Sequence, residues 1–158
     1  MILTQNKTKK IMNEEVKTVF KFSAHVINKN LEDISQEESV ITPGGGGSSI
    51  NWILGHILIT RDYLLNLLGF ESQCDDNMEQ IYERGTQKVT IENAVDLKIL
   101  IKLYNDSQIK IMKALDETDI RNDKEKMDNI SGLSFHEAYH AGQTAVLRRV
   151  IGKKGVIQ

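Results

Sequence analysis

The chain has 158 residues, 20 Lys and Arg against 22 Asp and Glu, a formal net charge of −2 and a single cysteine. That length supports one domain with a real core, so residues 1–158 are read as a single helical domain. The basic residues are spread along the chain, which leaves no electrostatic footprint for DNA or RNA, and the lone Cys74 excludes an internal disulfide. Asp75 and Asp76 beside it would raise the thiol pKa, against a role as nucleophile. The opening MILTQNKTKK lacks the apolar stretch of a secretory signal. The most apolar segment, Ile50 to Leu68, is broken by Asn51, His56, Arg61, Asp62 and Asn66, so the expectation is a soluble, cytoplasmic protein without a membrane span.

Four segments carry helical periodicity. The first runs from about Lys10 to Asp33, with Met12, Val16, Val19, Phe20, Ser23, Val26, Ile27 and Leu31 on one face at the 3.6-residue repeat. TPGGGGSS, Thr42 to Ser49, is a breaker-rich connector whose Gly run lacks the Lys of a phosphate loop. Its last Ser can cap a second helix from Ile50 to Leu68, which Gly69 would stop. Phe70 to Thr90 reads as a mixed connection with a short helical piece before YERGTQKVT. Thr90 or Asn93 can cap a third helix that carries Leu97, Leu100, Ile101, Tyr104, Ile111, Met112 and Leu115 on one side and ends near Asp116. DETDIRNDKEKMDN shows no core stripe, and the fourth helix is placed from about Ser134. Four such helices predict an all-α four-helix bundle.

SFHEAYHAGQ, Ser134 to Gln143, fits the H-E-x-x-H pattern in which a helix offers two His to zinc and the Glu activates water. The downstream third ligand of the longer protease pattern is missing: Gln143 and Val146 occupy its Gly and His places, and no His, Asp, Glu or Cys follows His140. The protease reading is weak. In the fourth helix Phe135, His136, Tyr139, His140, Gln143, Val146, Leu147, Val150 and Ile151 fall within an arc of roughly 160°. A lone His on such a face is ordinarily a satisfied core residue, but two at i and i+4 bring both imidazoles to one point.

Of the other two His, His25 falls almost opposite the apolar face of the first helix and reads as a surface residue. His56 sits among Trp52, Ile53, Ile59, Thr60, Tyr63 and Leu67 on one side of the second helix, which makes it the natural third ligand. Three imidazoles with no thiolate or carboxylate leave a coordination position open, a catalytic rather than a structural pattern, and suit Zn, Ni, Fe, Co or Mn. Glu137 has a plainer reading. With Ser134 it fits a capping box at the start of the fourth helix, toward the edge of the His arc and away from His56.

SINWILGHILITRDYLL, the YERG-type turn and HEAYHAGQTAVLRRVIG together resemble the DinB-like (YfiT-like) family of metalloenzymes over most of the chain. The specific part of the resemblance is His56 with His136, His140, Gly142 and Gln143. It implies a four-helix bundle, often dimeric, with a divalent metal on His56, His136 and His140. It also implies chemistry in which metal activates a low-molecular-weight thiol cofactor. The function expected is therefore a metalloenzyme directing a thiol or water at a small electrophilic substrate, an S-transferase or hydrolase. The alternative is a metal-binding stress-related or structural dimer without turnover. A homodimer is expected through the second helix, by Leu54, Leu58 and Leu65, or through the fourth, by Ala138, Ala141, Gly142 and Ala145.

Overall fold

The computed structural model describes residues 2–44, 46–86, 88–120 and 123–156, with side chains from residue 14 onward. The described residues form helices and connections and no strand, so the fold is all-α. The elements are α1 (Ile2–Leu31), α2 (Gln36–Ser39), α3 (Ile50–Leu67), α4 (Asp76–Tyr82), α5 (Leu97–Glu117) and α6 (Lys124–Val150). No helix among the described residues is long and apolar enough to cross a membrane.

Local chemistry sets most boundaries. Ser49 is extended and its side chain accepts the Trp52 N–H, which starts α3. The helix ends where Gly69 takes φ 86 and the Phe70 N–H returns to the Leu65 carbonyl at 2.9 Å. The cap of α5 is Asp96, which accepts from the amides of Lys98 and Ile99, and neither Thr90 nor Asn93 takes that place. Asn93 instead closes a turn by accepting the Thr90 amide at 2.7 Å. Helix α1 starts at Ile2, ahead of the expected Lys10. Met12 lies outside the residues whose side chains are described.

The four long helices surround a shared interior, with α1 against α5 and α6, and α3 against α5 and α6. Cross-helix bonds give the directions. Asn51 reaches Val95 and Arg61 reaches Ser107, so α3 and α5 run parallel. Lys17 pairs with Asp116 and Asn28 with Asn105, so α1 and α5 are antiparallel. Two apolar clusters fill the interior. One is built on Ile27, Ile53, Ile57, Leu100 and Tyr104, the other on Phe20, Leu64, Leu65, Ile111 and Ile130. The expected faces of α1 and α5 are the ones that turn inward, except that Val19 is exposed.

Helix α6 departs from expectation in two ways. It begins at Lys124, ten residues before Ser134, where the Asp123 side chain accepts the Lys126 amide, and Ile130 with the partly buried Met127 and Leu133 packs these first turns on the interior. Its buried residues are Ile130, Ser134, Glu137, His140, Ala141, Thr144, Leu147 and Arg148, so His140 and Leu147 of the expected arc do turn inward, whereas Phe135 and Tyr139 are 74% and 57% exposed and Val146 and Val150 are exposed too. Each buried polar group among them has a partner. Thr144 takes the Asn30 amide at 3.0 Å, and Arg148 donates to the carbonyls of Asn30, Glu32 and Lys154.

The apolar surplus expected on α3 is also absent. Leu54, Leu58 and Leu65 are buried within the chain itself and offer nothing to a second copy.

Gly55 explains how α4 meets α3. A Cβ at this position would lie 2.3–2.5 Å from Cγ, Cδ1 and Cδ2 of Tyr82, so only glycine lets that fully buried ring lie on the helix backbone. The phenol then donates to Asn51 at 2.7 Å and accepts the Val95 amide at 3.0 Å, fastening the α4–α5 connection to α3. Gly55→Ala is expected to destabilise the protein by about 1–3 kcal/mol through this overpacking, measurable by urea denaturation. A stability equal to that of the parent would show that Tyr82 does not occupy this position.

Candidate metal centre

His56 projects from α3 and His136 and His140 from successive turns of α6. Their Nε2 atoms converge: His136 Nε2 stands 3.2 Å from that of His56 and 3.0 Å from that of His140, and one ligand atom from each residue lies within 4.8 Å of the others. His25 is exposed and takes no part.

The far side of two of the rings fixes their tautomers. His56 Nδ1 lies 3.0 Å from the Tyr82 carbonyl oxygen, which can only accept, so Nδ1 carries the proton and Nε2 presents its lone pair. His140 Nδ1 donates to Gln143 Oε1 at 2.7 Å with the same consequence. Gln143 in turn donates from Nε2 to the Tyr139 hydroxyl at 3.1 Å. Trp52 stacks on His56 with ring centroids 4.6 Å apart and planes 13° from parallel, which holds the plane of that imidazole.

Two lone pairs thus face a third ring that can share at most one Nε2 proton with them. A divalent ion suits all three. Two nitrogens about 2.0–2.1 Å from one ion, at angles from octahedral to tetrahedral, stand about 2.8–3.4 Å apart. The observed 3.0 and 3.2 Å fall inside that span. Orientation of each ligand ring by a carbonyl or carboxamide acceptor is the usual support of metal-binding His.

Electrostatics favour the neutral, ligating form. Burial lowers the pKa of all three His. At His136 the His56 ring adds to this, and at His56 the bond to Tyr82 opposes burial while the Arg84 cation adds a smaller lowering. His140 is lowered furthest, to about 4, by burial and then by His136. Cys74 is half-buried and its thiol is pushed up by burial and by Asp62, so it is no nucleophile.

Glu137 is neither a cap nor a water-activating base. It lies in the interior of α6 and is 2% exposed, directed at α3. Ser134, its supposed partner, donates instead to the Ser131 carbonyl at 2.8 Å. The carboxylate takes two bonds from Arg61, Nε to Oε2 at 2.7 Å and Nη2 to Oε1 at 2.6 Å, and a third from the Tyr104 hydroxyl at 2.9 Å. Arg61 spends its other donors on the Tyr104 carbonyl, Ser107 Oγ and Gln108 Oε1, and its guanidinium lies 3.9 Å from the centroid of the Tyr104 ring. All five guanidinium donors are satisfied, and Glu137 has no free oxygen to serve as a base.

This network, together with Gly55 and Tyr82, is what sequence reasoning missed. Its signals were an Arg and a Gly inside the most apolar helix of the chain.

In comparison with known proteins, no family model matches the chain, and no curated protein and no solved structure matches it.

Two outcomes are expected. Glu137→Ala strands the buried Arg61 cation and should cost about 3–5 kcal/mol, while the double variant Arg61→Met/Glu137→Leu, which removes both charges, should cost much less. Equal losses in chemical denaturation would mean that the pair is not buried as described. The second concerns pH. Because burial sets the folded pKa of these His below the ordinary 6.5, the unfolded chain binds more protons in that window. Stability of the metal-free protein should be complete above about pH 6.5 and fall as the pH drops toward 4, and His140→Ala should flatten that dependence. A pH-independent urea midpoint between pH 7 and 4.5 would contradict it.

Proposed function

We propose that His56, His136 and His140 hold one divalent metal ion and that the protein is a metal-dependent enzyme acting on a small electrophilic substrate, an S-transferase or hydrolase in type. The supporting observation is the convergence of three Nε2 lone pairs, two of them fixed by outward Nδ1–H bonds to Tyr82 and Gln143. When bound, such an ion supplies Lewis acidity that brings the pKa of a coordinated thiol or water toward neutrality. We read the packing of α1, α3, α5 and α6 as a four-helix bundle of the DinB-like type, in agreement with the resemblance of the helix-two and C-terminal motifs.

The protein's own groups divide the work. His56 and His140 are kept neutral by burial and oriented by Tyr82 and Gln143, which accept their Nδ1–H bonds. Arg61 and Glu137 neutralise each other beneath the site and add no net charge to it. His136 is only half-buried and Tyr139 is exposed, so the outer side of the centre is open to a substrate. That openness favours turnover over a closed structural site. For assembly, Ala141 of the expected small-residue face is buried within the chain while Ala138 stays exposed, and a homodimer would form on that side of α6.

His56→Ala is expected to abolish stoichiometric metal binding as fully as His140→Ala, while His25→Ala leaves it intact. Elemental analysis of protein purified without a His-tag measures this, and unchanged metal in the His56 variant would overturn the centre. Metal-loaded protein offered an electrophile with low-molecular-weight thiols, beside an ester panel, separates S-transfer from hydrolysis.

A further inference from the structure

A cleft of about 360 Å³ opens between the Gly-rich connector and the outer face of α6. Pro43, Ile53, Val146 and Leu147 supply its apolar walls, and Tyr139 and Gln143 stand at its polar edge. Among the described residues that line it, the Tyr139 phenol is the one ionisable group. Its volume is that of a pocket for a small organic molecule.

What ties the cleft to the metal centre is Gln143. The same carboxamide that lines the cleft accepts the His140 Nδ1–H at 2.7 Å and donates to the Tyr139 hydroxyl at 3.1 Å. The centre and the cleft therefore share one side chain, and a ligand seated on Val146 and Leu147 meets Tyr139 and Gln143 on the side of His140. A charged ligand would lose hydration there with no counter-charge to replace it, whereas an alkyl or aryl group displaces water from apolar walls.

A second cleft of about 380 Å³ lies on the other side of the connector and has the opposite character. It carries Lys88 with the hydroxyls of Thr42, Ser48 and Thr86, and Trp52 separates it from His56.

We infer that the cleft formed by Pro43, Ile53, Val146 and Leu147 is a binding subsite for an uncharged aliphatic or aromatic group, which it presents to the His56–His136–His140 centre. Its role as a substrate subsite rests on the function proposed above; the binding itself does not.

The probes are 1-hexanol, hexanoate and hexylammonium, alike in length and different in charge, titrated into protein with 13C-labelled Ile, Leu and Val methyls. Hexanol should shift the methyl signals of Ile53, Val146 and Leu147 in metal-free and zinc-loaded protein alike, and the two ions should bind there about tenfold more weakly or worse. Gly142 lines the same cleft, and a Cβ added there meets nothing within 4 Å, so Gly142→Leu adds bulk at the cleft with no clash at Cβ and should weaken the hexanol shifts several-fold. Val146→Glu, at an exposed position, should reverse the preference toward hexylammonium.

Cobalt in place of zinc should speed the relaxation of hexanol's own protons. If cobalt does not bind, the metal centre fails while the methyl shifts still decide the cleft. Bound cobalt with no effect on hexanol overturns the link between cleft and centre. Absent methyl shifts, or equal binding of all three probes, overturns the subsite.

Discussion

The ion pair between Arg61 and Glu137 is the constraint on which the arrangement of the helices around the site depends. Both side chains are 2% exposed, and their bonds bring together α3, α5 and α6. A buried guanidinium has a few geometries in which all five donors are met, so sliding α6 along α3 by a turn would leave a charge unpaired at a cost of several kcal/mol. The pair therefore fixes the register between these two helices. Because His136 and His140 flank Glu137 and His56 lies five residues before Arg61, the same register sets the distances among the three imidazoles. The pair contributes specificity of alignment more than net stability.

Orientation comes from a second set of contacts. Gly55 admits the Tyr82 ring onto α3, and the carbonyl of Tyr82 then meets His56 Nδ1 at 3.0 Å. The small helix α4 thus acts on the site from outside the four long helices, through one close approach that needs a glycine. On α6, Gln143 performs the equivalent task for His140 three residues away. Position is set by a charge pair, and the direction of His56 and His140 by two neutral acceptors.

Much of this was legible in the sequence, for identifiable reasons. Helix α3 could be bounded from Ser49 and Gly69, since a cap and a left-handed stop are local devices. His136 and His140 could be paired because one-turn spacing on one face is a consequence of helix geometry, and His56, on another helix, was reached because His25 falls on the solvent face of its own helix. The orientation of α6 could not be read from its apolar residues. Its inner line is largely polar, with Glu137, Thr144 and Arg148 buried against partners far away in the chain and Ser134 bonded within the helix, while Phe135 and Tyr139 face outward. Glu137 was misplaced for the same reason. The S-x-x-E pattern marks a capping box only where a helix begins, and the chain contains a true one at Ser35 and Glu38, where both reciprocal bonds form. At Ser134 the pattern falls in mid-helix, and a tertiary partner, Arg61, decides the role of the carboxylate.

The central claim is that three imidazoles of this chain hold one metal ion through Nε2. X-ray absorption at the metal edge of tag-free, zinc-loaded protein tests it most directly, because imidazole ligation leaves a distinctive outer-shell scattering pattern. The expected result is three imidazole nitrogens at about 2.0–2.1 Å, completed by light oxygen or nitrogen scatterers and with no sulfur at about 2.3 Å. A spectrum with fewer than three imidazoles, or with a sulfur ligand, would contradict the account.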